Sequence, residues 1–332
     1  MPPSKKHDFL ITTDHHHDNL RLDAFLAEAL SLSRNNISGL IKRGLITVNS
    51  RPGKPALKLK PGQIVAGRIP ARETLSRPGP ENQFLDILFE DDHLIVINKP
   101  APMVVHPAPG HTGGTLVNAL LNHYPEIKTV GEPDRPGLVH RLDRDTTGVV
   151  VAARSTIAYK TLSAMFAERK IKKQYLTVTY GRPAQSRGTI DLPLGRHPVH
   201  RKKMSVAGIN KRTAESSWRI LKDFTDAGLL EVGISTGRTH QIRVHCAAAG
   251  FPVVGDMVYG ARWTTRPVHF HNRDMFQRLR AVSRQMLHAW KLSLVHPVTD
   301  QSMKFIAPLP SDMKTLLREL RRLIPKERAS GD

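Results

Sequence analysis

Cysteine is almost absent: Cys246 is the one thiol in 332 residues. That excludes an internal disulfide framework and any cysteine-rich zinc or iron–sulfur site, and it fits a reducing cytosol. Acid is scarce too, since 29 Asp and Glu stand against 50 Lys and Arg, leaving a formal charge of +21 with every histidine neutral. Polyanions are therefore the expected partners. No apolar run approaches the about 20 residues of a membrane-spanning helix, and the start, MPPSKKHDFLITT, lacks the apolar stretch of a signal peptide. A cytoplasmic protein with no membrane association is expected. The basic residues run along nearly the whole chain instead of gathering on one amphipathic helix, which favours nucleic acid over a membrane surface. What the chain does have is 39% hydrophobic residues, enough over this length for one larger and one smaller core, which excludes a disordered protein.

Several catalytic signatures are missing as well. There is no phosphate loop ending in Gly-Lys-Ser or Gly-Lys-Thr, no H-E-x-x-H helix and no G-x-S-x-G elbow. The glycines Gly110, Gly113 and Gly114 lack the Lys and hydroxyl that would hold a triphosphate, so they read as an ordered turn. Seventeen histidines invite a metal site, yet His240 and His245, five apart, fall on different sides of a helix. Neither a metal nor another cofactor is expected.

Residues 1–18, with the run His15-His16-His17, read as a flexible leader. From Arg21 the pattern changes: Leu22, Phe25, Leu26 and Leu30 recur at helical spacing, Ser33 offers an N-cap to a second helix carrying Ile37, Leu40 and Ile41, and Gly44 ends it. A short strand at 45–48 and a turn at 49–53 follow. Arg34, Lys42 and Arg43 lie on the polar side of this module, with Arg51, Lys54, Lys58 and Lys60 after them. They form either a solvated basic surface or a phosphate grip. The stretches RLDAFLAEAL, SRNNISGLIKRGLITVN and KLKPGQIV together resemble the S-four-like RNA-binding module, a small α/β domain, over residues 19–68. Residues 69–83, rich in Pro, Gly and Arg, read as a linker, residues 84–325 as a second domain, and 326–332 as a tail.

In the second domain, ILFEDDHLIVINKP reads as two strands joined by an acidic turn. Further strands are expected at 138–140, 149–152, 175–180, 229–235 and 292–295, and helices at 115–123, 157–168 and 240–249. Adjacent hairpins with inserted helices predict an α+β fold. In the segment 137–152 a charged cluster sits between two apolar stretches, a placement that can aim polar side chains into a cleft. From the residues alone, either Asp143 and Asp145 are paired carboxylates for glycosidic chemistry or Asp145-Thr146-Thr147 is a hydrogen-bonded turn.

HRLDRDTTG, KKQY at 172–175, TGRTHQIRVH at 236–245 and GDMVYG at 255–260, with EDDHLIVINKPAPMVVHP upstream and RQMLHAWKLSLVHP downstream, resemble the RluA/RluD group of pseudouridine synthases. The resemblance covers about residues 84–322, and the amino-terminal module favours the RluD-like branch. It implies a central, mainly antiparallel mixed sheet flanked by helices and loops, and a cofactor-free isomerisation of uridine in large-subunit ribosomal RNA or its assembly precursor, by a monomer. It implies that Asp143 is the catalytic carboxylate, attacking C1′ or the base or removing a sugar proton; that Arg243 keeps it charged; and that Tyr175 stacks on the target base and helps remove its C5 proton. The uridine must be flipped out of the RNA, at a cost of about a few kcal/mol. Arg141 would fill the gap, with His140 supporting the loop and Gly148 and Gly237 serving tight backbone geometry. His200, Arg201, Lys202 and Lys203, with His197, form a basic block expected to reach phosphates, and Arg238 in the third motif is a further RNA contact. A non-catalytic ribosome-assembly factor and the same chemistry on transfer RNA remain alternatives.

Overall fold

The structure, a computed structural model, describes residues 7–69, 77–108, 110–200, 203–263 and 271–324. The chain divides into two compact units, Met1–Ser76 and Arg77–Asp332.

The first unit contains four strands, β1 (His7–Thr12), β2 (Ile46–Val48), β3 (Arg51–Pro52) and β4 (Ile64–Ile69), and two helices, α1 (Leu22–Ala29) and α2 (Arg34–Lys42). The strands form one antiparallel sheet of order β1-β4-β2-β3. Both helices turn their apolar stripes to it: Leu22, Phe25 and Leu26 of α1 and Ile37, Leu40 and Ile41 of α2 share a buried cluster with Ile46, Val48 and Val65. The Ser33 hydroxyl accepts the Asn36 N–H and caps α2. Gly44, at φ +72°, ends it: its N–H donates to Ile41 and the next N–H, of Leu45, reaches back to Leu40. That is the Schellman pattern, which needs a left-handed residue.

A flexible leader over 1–18 does not describe residues 7–18. β1 pairs with β4 from His7 opposite Ile69 to Thr12 opposite Ile64, and the Thr13 hydroxyl donates to the Lys60 carbonyl at 2.6 Å. His15–His17 form a 3-10 turn capped by Asp14. Phe9 and Ile11, on one face of β1, pack against the core of the unit while Leu10 between them is exposed. Three consecutive apolar residues, Phe9-Leu10-Ile11, show no alternation and are too short a run to read as a strand.

The second unit is built on one nine-stranded sheet. Its strands are β5 (Ile87–Glu90), β6 (Leu94–Lys99), β7 (Thr147–Ala153), β8 (Lys172–Tyr180), β9 (Arg187–Asp191), β13 (Glu215–Asp223), β14 (Ala227–Ile234), β15 (Leu287–Val295) and β16 (Ser302–Ile306). The order is β5-β6-β7-β15-β8-β14-β13-β9, with β16 also on β15. Every neighbouring pair is antiparallel except β7 and β15. Three short strands, β10 (Leu194–Arg196), β11 (Met204–Ser205) and β12 (Ile209–Arg212), form a separate antiparallel sheet. The expected α+β class, with its mainly antiparallel mixed sheet, is the observed one.

Five helices, α3 (Leu116–His123), α4 (Thr156–Ala167), α5 (Gln241–Ala248), α6 (Arg273–Arg280) and α7 (Ser311–Arg322), cover this unit. β7 shows why the sheet can be covered on both sides. Val150 and Ala152 join a core with Leu116 and Leu120 of α3 and Ile242 of α5, whereas Val149, Val151 and Ala153 face a second core with Leu162 of α4, Leu292 and Phe305. A strand buried on both faces reads as the continuous apolar run seen here. A third core joins Val178 and Tyr180 to α6 and α7. The strand expected at 138–140 is instead a single bridge, Leu138 to Ala152, because the chain leaves β7 there to form the loop that carries Asp143. The acidic turn is as expected: Asp91 Oδ1 accepts the N–H groups of His93 and Leu94, both at 2.7 Å.

Candidate active site

The loop before β7 is fixed at several backbone points. The carbonyl of Arg144 accepts the N–H of Met103 and the ammonium of Lys99, both at 3.0 Å; that of Asp145 accepts the Arg284 guanidinium at 3.1 Å; and the Thr146 hydroxyl takes the Gln285 amide at 3.2 Å. Lys99 is fully buried and also reaches the carbonyls of Pro100 and Met103 at 2.8 Å each. Burial pushes its pKa down to about 7, against the pull of Asp145 and Asp143. The three carbonyls receive the N–H groups of either form, three from the ammonium and two from the neutral amine.

His140 supports the loop from beneath. Its Nε2 accepts the Val151 N–H at 2.9 Å and its ring stacks on Phe166 at 4.7 Å, while burial pushes its pKa down to about 3 and keeps it neutral. Gly148, at φ +110°, lies where β15 meets β7, and a Cβ there would run into the Ala289 carbonyl. Gly237 differs: it has no left-handed φ, and the nearest atom to an added Cβ is the Lys173 Nζ at 4.0 Å. The expected tight backbone is at Gly148 alone of the two.

Thus anchored, the loop brings Asp143 to α5. Arg243 Nη1 donates to Asp143 Oδ2 at 2.8 Å, and the other side of the guanidinium grips Asp256, Nε to Oδ2 at 2.6 Å and Nη2 to Oδ1 at 3.0 Å. The Asp256 side chain is wholly buried and also accepts the N–H groups of Val258 and Tyr259. Burial alone would lower the pKa of Arg243, but Asp256 and then Asp143 outweigh it and hold it above the usual range. Asp256 therefore orients the fork, and Nη1 is presented to Asp143.

The cleft over this pair is lined by Arg141, Asp143, Tyr175, Ile234, Arg238, His240 and Leu287 among others, and holds about 530 Å³ of open space. Tyr175 is buried, and burial together with the charge of Asp143 pushes its hydroxyl above the usual phenol range, so it is a neutral phenol near pH 7. Ile234 and Leu287 add apolar surface beside it. Asp145 does not join Asp143: both its oxygens are held by Arg144 at 3.1 Å, and it does not line the cleft. Of the two readings open for these residues, this arrangement favours the turn.

The basic residues are distributed over both units. Arg141 is exposed at the cleft, and Arg238, also at the cleft, donates from Nε to the Thr213 carbonyl at 3.2 Å. His200 is exposed in the turn between β10 and β11, whereas the Lys203 ammonium folds back to the Val258 carbonyl at 3.3 Å. Arg201 and Lys202 lie outside the described residues. Arg34, Lys42 and Arg43 are exposed on the first unit, Arg34 lying 3.7 Å from Asp23. Cys246 is buried, with its thiol pushed up to about 12 by that burial.

Residues 93–248 match the RNA pseudouridylate synthase family, and residues 20–65 match the S4 domain. An uncharacterised RNA pseudouridine synthase of Synechocystis sp. is 42% identical over 310 residues, which cover 92% of this chain and 90% of that protein. The chain belongs to the RNA pseudouridine synthase family. The ribosomal large subunit pseudouridine synthase D of Nitrosomonas europaea is 42% identical over 307 residues, 92% of this chain and 85% of that one. Among solved structures, human RNA pseudouridylate synthase domain containing 4 is similar with a TM-score of 0.55 at 25% identity, covering 71% of this chain and 92% of that one.

Sequence reasoning brought Asp143, Tyr175, Arg243, Arg141 and Arg238 to one cleft. It missed four contributors to this synthase site: Asp256, which orients Arg243; Lys99, which holds the loop; and His240 with Tyr259, beside the carboxylate. The signal for Asp256 was present in GDMVYG, where an acid stands between a glycine and apolar residues. The signal for Lys99 was a lysine two residues beyond the apolar run Leu94-Ile95-Val96-Ile97.

Proposed function

We propose that this synthase converts specific uridines of large-subunit ribosomal RNA, or of its assembly precursor, to pseudouridine, acting in the cytoplasm as a monomer. The observation that carries the chemistry is the Asp256–Arg243–Asp143 chain at the floor of a cleft whose side is the Tyr175 ring. The target follows the relative of Nitrosomonas europaea named for the large ribosomal subunit.

In the reaction the N1–C1′ bond breaks, the base turns, and C5 bonds to C1′. The proton lost from C5 is balanced by one gained at N1, so nothing is oxidised and no water is consumed. Asp143 is the group placed to act on the sugar or the base, and each of its three roles requires the carboxylate form. Arg243 supplies the cation that keeps a carboxylate ionised once RNA covers the cleft and water leaves. Tyr175, with Ile234 and Leu287, offers a planar base an apolar seat. As a neutral phenol, Tyr175 takes a C5 proton only by passing its own onward. Extrusion of the uridine leaves a gap in the RNA, and exposed Arg141, two residues from Asp143, is in place to enter it.

A pseudouridine map of total RNA from cells lacking the protein tests this reading. Large-subunit sites should vanish and return with wild type but not with Asp143→Asn, which keeps the shape and removes the charge. Sites lost from transfer RNA would redirect the substrate, and an unchanged map would overturn the assignment.

A further inference from the structure

Beside Asp143 stand two side chains to which the chemistry above gives no task. His240 lies at the N-cap of α5 with a left-handed backbone, φ 57° and ψ 19°, a conformation that a non-glycine residue keeps only where its surroundings impose it. Its Nε2 is 3.9 Å from Asp143 Oδ2, the oxygen that also takes Arg243, and its Nδ1 is 2.8 Å from the Tyr259 hydroxyl. That hydroxyl accepts the backbone N–H of Met204, in β11, at 2.8 Å. The Tyr259 ring meanwhile lies 5.2 Å from the Arg243 guanidinium carbon.

We propose that Tyr259 and His240 are positioning residues for Asp143: Tyr259 fixes the imidazole as its Nε2–H tautomer, and that neutral N–H is aimed at the Asp143 carboxylate. The inference deepens the proposed function and rests on it. A phenol hydroxyl has one proton, and here an accepting position is already taken by Met204. The proton then goes to Nδ1 of His240, which leaves the imidazole proton on Nε2, toward Asp143. Burial pushes the Tyr259 hydroxyl up, and burial of His240 pushes its imidazole down against the pull of Asp143, so both stay neutral near pH 7. At 3.9 Å the contact is that of a dipole with a charge, longer than a hydrogen bond; catalytic contacts of this kind tighten when substrate binds.

The charged and titratable groups around the pair come from three segments. They are Asp143 and Arg141 on the loop before β7, Arg243 on α5, and Asp256 on the segment after it. Around Asp143 itself stand Arg243, His240, Lys99, Tyr175 and Tyr259. Arg243 provides the charge, and the His240 N–H provides direction without adding a second cation. Losing it takes a donor away from the carboxylate form that the reaction needs, and the acid limb of the rate profile moves to higher pH.

Two measurements test the pair in the full-length protein. In long-range proton–nitrogen NMR of the histidines, with His240 assigned by its loss in His240→Gln, the free enzyme should show a protonated Nε2 and a bare Nδ1; a proton on Nδ1 would overturn the proposal. In single-turnover reactions on a large-subunit RNA fragment, Tyr259→Phe should lower the saturating rate constant about tenfold, as for one lost hydrogen bond of about 1.4 kcal/mol. Its acid limb should move to higher pH with RNA affinity unchanged. His240→Gln keeps an N–H donor and should retain the wild-type acid limb, whereas His240→Leu should follow Tyr259→Phe. Identical profiles in all four proteins, or a loss confined to RNA affinity, would reduce the pair to packing and overturn the inference. A wild type that modifies no RNA would instead sink the proposed function, and the NMR result would still decide the tautomer.

Discussion

At the residue scale, the site turns on how one guanidinium is divided between two carboxylates. Asp256 is buried and satisfied by Arg243 and by two backbone N–H groups, whereas Asp143 is one-fifth exposed and, among the described residues, takes one side-chain hydrogen bond, from Nη1. Asp256→Ala would leave Arg243 as a buried cation with half its partners gone. Urea denaturation should show a loss of about 3–5 kcal/mol, with a large fall in single-turnover rate because the fork no longer points at Asp143. Lys99 gives a prediction in pH. Its pKa is depressed in the folded chain, about 7 against an ordinary 10.5, so between those values the unfolded chain binds a proton that the folded chain has released. The penalty for burying the charge is fully present below about pH 7 and is relieved as pH rises toward 10.5. Wild type should therefore gain unfolding free energy relative to Lys99→Met between pH 7 and 10; a constant difference would show that the ammonium keeps its charge. Asp143, Tyr175 and Arg243 were legible in the sequence because their motifs are. The pairing of Arg243 with Asp143 was implied by the resemblance, although the two are 100 residues apart; the grip of Asp256 on Arg243, 13 residues away, was not legible, since no local periodicity encodes such a meeting.

Elements place those residues, and β7 carries most of that task. It is buried on both faces, begins at the end of the Asp143 loop, and touches β15 in the sheet's one parallel pairing at Gly148. There the two backbones approach so closely that Gly148→Ala must both strain φ and push the Ala289 carbonyl aside. We expect a loss of about 2–5 kcal/mol, read as a lower urea midpoint, with activity falling in step because the loop and β15 shift together. A neutral outcome would mean that β15 can yield at this point. The apolar run of β7 and the helices at 116–123 and 156–167 were legible, because long runs and capped amphipathic stretches declare themselves. β1 and the bridge at Leu138 were not: one is a strand with two inward side chains, the other a segment whose apolar residues meet the sheet at a single residue pair.

For the whole molecule, the excess of basic residues is the largest physical fact, and the two units use it differently. In the second unit, Arg243, Arg284 and Lys99 are committed to carboxylates and carbonyls inside the protein. In the S4 domain Arg34, Lys42 and Arg43 are exposed, Arg34 lying 3.7 Å from Asp23. This division implies that binding and chemistry can be separated by mutation. If phosphate contacts dominate, log affinity falls linearly with log salt, with a slope of about −0.7 to −0.9 per phosphate neutralised. Replacing Arg34, Lys42 and Arg43 together by Ala should thus reduce the slope by about two to three and raise the RNA concentration needed for half-maximal rate, while the single-turnover rate constant at saturation holds. The measurement is RNA affinity across a salt series alongside single-turnover kinetics. If the slope stays at the wild-type value, the S4 domain's basic face does not meet the RNA backbone, and the cations of the second unit, Arg141 and the turn between β10 and β11 foremost, must supply the attraction instead.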